Sequence, residues 1–170
     1  SNETNLMDYF KKIKIVPVSI SYEYDPTDVL KMPQLLAEAN NEVYVKSKNE
    51  DFNTIMSGVM GQKKRIHLHI GKVLDTEIDR IITENDSSNK QIQALAQEID
   101  DAILSNYKLW PTNFIAYDIV NKSNAFSHLY TESEKSLFER RLEIRIGTDN
   151  PVAIDGFLAM YANPVVNKLK

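Results

Sequence analysis

Hydrophobic and polar positions alternate in two stretches of the chain and follow a three-to-four residue rhythm almost everywhere else. Residues 13–22 hold the densest β-branched and aromatic run, with Lys11 and Lys12 before it and the turn-forming pair Asp25-Pro26 after it, and predict a strand. Its first half, Ile15, Val16 and Val18, is apolar in both phases, which predicts burial on both faces of a sheet. Pro17 cannot donate to a ladder and predicts that one side of the strand lacks a regular partner there. Residues 65–74 form a second predicted strand, in which Ile66, Leu68 and Ile70 alternate with Arg65, His67 and His69. The connection between the two is long and carries helical patterns, and strands joined that way are usually parallel with a right-handed crossover. Val43-Tyr44-Val45 offers a short third extended piece over 42–46.

The remaining patterns are helical. Leu6, Met7, Tyr9 and Phe10 fit a two-turn amphipathic helix; Pro33 starts or kinks another; Phe52, Ile55, Met56, Val59 and Met60 make one apolar stripe closed by Gly61. Ile78, Ile81 and Ile82 follow Asp75, and a long face of Ile92, Leu95, Ile99 and Ile103 follows Ser88 and Gln91 at capping-box spacing. Thr112 is the expected cap of the next helix. Thr131 and Glu134 form a further capping box leading through Leu137, Phe138, Arg141, Leu142 and Arg145 to Gly147, and Asn150-Pro151 and Asn163-Pro164 each read as a cap followed by proline. The fold class expected is therefore α/β: a small, mainly parallel sheet of two strands (13–22 and 65–74), or three if 42–46 joins them, with a predominantly helical C-terminal third, all in one domain over residues 1–170.

Composition narrows the class of function. The 170 residues are 42% apolar and 26% charged with 5 Gly and 6 Pro, an ordinary globular balance, and the net charge of −4 argues against a general nucleic-acid partner. With no cysteine there is no disulfide, thiol nucleophile or thiolate metal site. No apolar run reaches the ~20 residues a spanning helix needs. Ser1-Asn2-Glu3-Thr4 lacks an initiator methionine, from which a chain cut out of something longer is expected.

Few residues announce chemistry. His67 and His69 share one face of a strand and start a metal site only if a third ligand such as His128 joins them; otherwise they are polar-face histidines. Glu23 stands beside Tyr22 and Tyr24 at the end of the first strand, where α/β folds place ligands, and reads either as a ligand contact or as a residue bonding a neighbouring loop. Lys11, Lys12 and Lys14, and Lys63, Lys64 and Arg65, either touch phosphate headgroups or serve as solvated gatekeepers of the strands they precede. There is no nucleophile elbow, Walker loop or GxGxxG.

One stretch resembles a known family. Ile15-Val16-Pro17-Val18, continuing through Ser19-Ile20-Ser21-Tyr22-Glu23, is similar to the late I-V-P-V block of the glycerolipid acyltransferases, the glycerol-3-phosphate and 1-acylglycerol-3-phosphate O-acyltransferases. His69-Ile70-Gly71-Lys72-Val73-Leu74 resembles the family's next strand, with Val73 in place of its proline, and residues 106–120, with Pro111 ahead of Asn113-Phe114-Ile115-Ala116, resemble the helical region after it. The resemblance covers about residues 11–120. It implies transfer of a fatty acyl group from acyl-CoA or acyl carrier protein to a glycerol-phosphate hydroxyl, in phospholipid synthesis, without a cofactor.

The family's catalytic pair, a His and an Asp separated by four residues, is absent: the fifth residues after His67, His69 and His128 are Lys72, Leu74 and Ser133. The phosphate-binding block is absent too. In the family both precede the I-V-P-V strand, so the resemblance implies the C-terminal portion of such an enzyme, inactive alone. Its substrate-binding residues are then Ile15, Val16, Pro17 and Val18, to which the reading of the residues adds Glu23; no catalytic residue and no metal ligand is assigned. The expected partners are acyl donor and acceptor through the parent, the missing N-terminal portion, and a second copy at an uncovered sheet edge. The expected place is the cytoplasm, at or near the inner face of the membrane. The rival expectation is a non-catalytic α/β module that binds a protein or lipid.

Overall fold

The computed structural model describes residues 6–169. Among them are eight α-helices and one sheet of two antiparallel strands, so the expected mainly parallel α/β sheet is corrected to a mostly helical fold carrying a β-ribbon. Strand β1 is Val18–Tyr22 and β2 is Ile66–Ile70. Gly71 N–H donates to the Pro17 carbonyl at 2.9 Å and Glu23 N–H to the Arg65 carbonyl at 2.9 Å, which fixes the register: Val18 faces Ile70 and Ile20 faces Leu68. The two strands are shorter than expected, and residues 42–46 form no strand; Val43 and Val45 are largely exposed.

The parallel expectation fails for a physical reason. A crossover fixes a parallel return only when the connecting helix packs back on the sheet. Here the connection holds α2 (Met32–Ala39) and α3 (Glu50–Met60), and α2 packs on α8 (Pro151–Leu169) instead. Free of the sheet, the chain returns antiparallel.

The chain divides into two compact units, with the boundaries inside the ribbon. In the first, residues 1–21 and 67–108, helix α1 (Leu6–Ile13) packs on α4 (Asp75–Glu84) and α5 (Ser88–Asn106). Its core is Met7, Leu74, Ile78, Ile81 and Leu95, with Phe10, Ile15 and Ile99 against it. The predicted Ser88 capping box is not formed: Ser87 is the N-cap residue, and the buried Gln91 donates to the Asn85 carbonyl at 3.0 Å.

The second unit, residues 22–66 and 109–170, contains α2, α3, α6 (Pro111–Asn121), α7 (Glu132–Ile146) and α8. Ala116 on α6 and Ala162 on α8 belong to its core, and side chains that small let helices approach closely. Phe138, Phe157 and Tyr161 fill the centre, with ring centroids 5.0 to 5.8 Å apart. The Thr131–Glu134 capping box forms as expected. Thr112 caps nothing, because Pro111 already opens α6 and Trp110 is the N-cap residue, while Pro164 lies inside α8 rather than starting a helix.

Phe157 is fully buried and Phe52 on α3 is 64% exposed. Phe157→Ala should lower unfolding free energy by about 3–5 kcal/mol and Phe52→Ala by no more than ~0.5 kcal/mol. Urea titration followed by the fluorescence of Trp110, the chain's one tryptophan and a member of the second unit, checks both.

Candidate functional site

Beyond Tyr22 the ribbon pairing continues with a slip. Glu23 N–H donates to the Arg65 carbonyl, but Tyr24 N–H donates to the carbonyl of Lys63, at 3.0 Å, so Lys64 is an extra residue, and its φ of 59° lies in the left-handed region. In a regular strand Lys64 and Arg65 would point to opposite faces. The bulge lets both reach Glu23: Lys64 Nζ donates to Oε1 at 2.7 Å, and Arg65 donates from Nε to Oε2 at 2.6 Å and from Nη2 to Oε1 at 3.0 Å. The Arg65 guanidinium also lies over the Trp110 ring, 5.0 Å from its centroid. Thr112, freed from capping, donates its hydroxyl to the Glu23 carbonyl at 2.8 Å.

Glu23 is fully buried. Burial pushes its carboxyl upward, but the hydrogen bonds and charges of Arg65 and Lys64 outweigh that and hold it below its ordinary value of 4.5. A carboxylate so committed is a poor proton acceptor. Glu23 thereby bonds a neighbouring segment through Lys64 and Arg65.

Five residues on, a second carboxylate is buried. Asp25 Oδ1 accepts from Thr27 N–H and hydroxyl, both at 2.7 Å, and this turn carries Asp28 inward. Asp28 Oδ2 accepts from Arg141 Nε at 3.0 Å, Arg141 Nη2 at 2.6 Å and the Tyr161 hydroxyl at 3.1 Å; Oδ1 accepts from Arg145 Nε at 3.0 Å and Nη2 at 2.8 Å. The Tyr161 hydroxyl in turn accepts from Asp25 N–H at 2.9 Å. Burial and the Asp28 charge push the Tyr161 phenol well above its ordinary value, so it stays a neutral donor. Tyr24 completes the cluster, its ring 4.3 Å from the Arg141 guanidinium.

Tyr24, Pro26 and Gly61 together with Leu137, Arg140, Arg141 and Arg145 line a groove of about 430 Å³. Gly61 is required there. A Cβ on it would stand 2.5 Å from the Ser57 carbonyl oxygen and 2.6 Å from Pro26 Cβ.

No protein-family model, curated protein or solved structure matches this chain.

The other sequence-predicted site residues belong to the first unit. Ile15 packs against its core, Pro17 is buried, and Val16 and Val18 are 37% and 43% exposed. The expected two-sided burial of this stretch is therefore corrected: with two strands only, one ribbon face has no covering layer among the described residues. Ser19 and Ser21 are the buried positions instead. His67 and His69 remain half-buried on β2, and no group of three potential ligands gathers among the described residues. Sequence reasoning missed Asp28, Arg141, Arg145 and Tyr161. The signal was present in two arginines one turn apart beside the apolar positions Phe138 and Leu142, since charge at a packing stripe demands a buried counter-charge.

Because the folded carboxyl of Glu23 titrates below 4.5, its ion pairs stabilise fully above that pH and are lost as pH falls through the folded value. Glu23→Gln should cost about 1–3 kcal/mol at pH 7, and the difference from wild type should shrink below pH 4.5. Urea midpoints at pH 7 and pH 3.5 measure it; a cost that does not change with pH contradicts the assignment.

Proposed function

We propose that this chain is the C-terminal part of a glycerolipid O-acyltransferase, supplying wall and scaffold to a site whose proton-transfer pair lies elsewhere in the parent. What supports the reading, beside the I-V-P-V resemblance, is the uncovered apolar face of the ribbon. Val18 and Ile20 on β1 and Leu68 and Ile70 on β2 are each between 43% and 66% exposed, on positions that face one another. A stripe of that kind suits an acyl chain and the remaining sheet of an acyl-transfer pocket.

In the parent, the acceptor hydroxyl loses its proton to the family's histidine and attacks the thioester carbonyl; the C–O bond forms, the C–S bond breaks, and the thiolate takes the proton. The thioester already carries an activated acyl group, so no cofactor is called for. No helix among the described residues is long and apolar enough to cross a membrane. The reading puts the protein in the cytoplasm, peripheral to the inner face of the membrane where the acylated product is delivered, and lets the uncovered ribbon self-associate when the parent's remainder is missing.

A second reading, a non-catalytic module binding a protein or lipid, draws on α3, whose Phe52, Ile55, Val59 and Met60 face solvent. Thiol release from acyl-CoA or acyl carrier protein with glycerol 3-phosphate separates the two. Residues 1–170 alone should give no release above blank, the parent should turn over, and Val18→Asp in the parent should lower kcat/KM by roughly tenfold or more, because an unpaired carboxylate beside an acyl chain is costly. Turnover by residues 1–170 alone, or a parent without transferase activity, overturns the proposal.

A further inference from the structure

The groove above Asp28 has an unbalanced charge. Arg140, Arg141 and Arg145 line it, no carboxylate does, and the one carboxylate beneath them, Asp28, pairs with two of the three. Three positive charges against one negative leave an excess of two in a chain whose net charge is −4. Asp28 has no capacity left, since both oxygens already accept hydrogen bonds from the arginines. Arg140 is exposed and makes no hydrogen bond among the described residues, and Nη1 of Arg145 makes none there either.

The arrangement is also held in advance of any ligand. Arg141 is clamped by Asp28, by the Asp25 carbonyl at 3.2 Å and by the Tyr24 ring, with only 12% of its side chain exposed. Arg145 is held by the same carboxylate with 34% exposed. Guanidinium groups fixed by a buried carboxylate lose little side-chain entropy on taking an anion, and their planar donor edges match phosphate oxygens. We infer that this groove binds a phosphate monoester, with the Arg140, Arg141 and Arg145 guanidinium groups around the phosphate and Gln62 and the apolar rim beside its organic part. A monoester carries about −1.5 to −2 charges at neutral pH, which matches the excess. The inference stands on the groove alone and does not need the acyl-transfer reading.

Two sources share this chemistry: a small soluble phosphate ester and the phosphate headgroup of a lipid. Calorimetric titration of residues 1–170 with glycerol 3-phosphate reads the first, and co-sedimentation with phosphatidylcholine vesicles with and without phosphatidic acid reads the second. Arg140→Ala and Arg140→Glu are the test variants, because Arg140 holds nothing else in place. Binding of one equivalent of glycerol 3-phosphate at roughly 1 mM or tighter, weakened about tenfold by Arg140→Ala and abolished by Arg140→Glu, supports a soluble ester. Sedimentation only with phosphatidic acid vesicles, lost in Arg140→Glu, supports a lipid headgroup. Binding to neither, or binding that Arg140→Glu leaves unchanged, overturns the inference.

Discussion

A carboxylate withdrawn completely from water has to be met by positive charge and hydrogen-bond donors, or the segment that carries it cannot stay folded. Asp28 imposes that condition on the second unit. It sits in the turn after the ribbon, Arg141 and Arg145 stand one turn apart on α7, and Tyr161 comes from α8, so one carboxylate ties three separate segments together. The aromatic core of Phe138, Phe157 and Tyr161 shares those two helices. Polar and apolar organisation therefore converge at Tyr161, whose ring packs in the core while its hydroxyl closes the charge network.

Glu23 works the same way at smaller scale. The Lys64 bulge turns two consecutive cations toward one carboxylate, and Thr112 fastens the Glu23 carbonyl to the start of α6. Two acidic residues in one short loop thus spend their charge on structure, while the positive charge they leave unneutralised is exposed in the groove above. That division explains why this region offers donors to an anion and no free base for proton transfer.

The helices were legible because their periodicity, caps and breakers agree: α3, α5 and α7 follow apolar stripes read directly from the residues. The sheet was legible in its strands and not in its direction, since strand polarity depends on where α2 packs, and only the three-dimensional partner, α8, decides that. The outward position of Val18, Ile20, Leu68 and Ile70 was illegible for a related reason. Alternation places these residues on one face but does not say whether a further layer covers it. Glu23 stands out in the sequence because it ends a strand between two tyrosines, whereas Asp28 reads from sequence as an ordinary helix-start residue and acquires its meaning only from arginines more than a hundred positions away.

The Asp28 carboxylate, rather than packing alone, holds the second unit together. Equilibrium urea unfolding of Asp28→Asn at pH 7, followed by Trp110 fluorescence, measures it directly. The substitution keeps shape and leaves Arg141 and Arg145 without their counter-charge, so a loss of about 3–5 kcal/mol is predicted. A loss under about 1 kcal/mol would contradict the account.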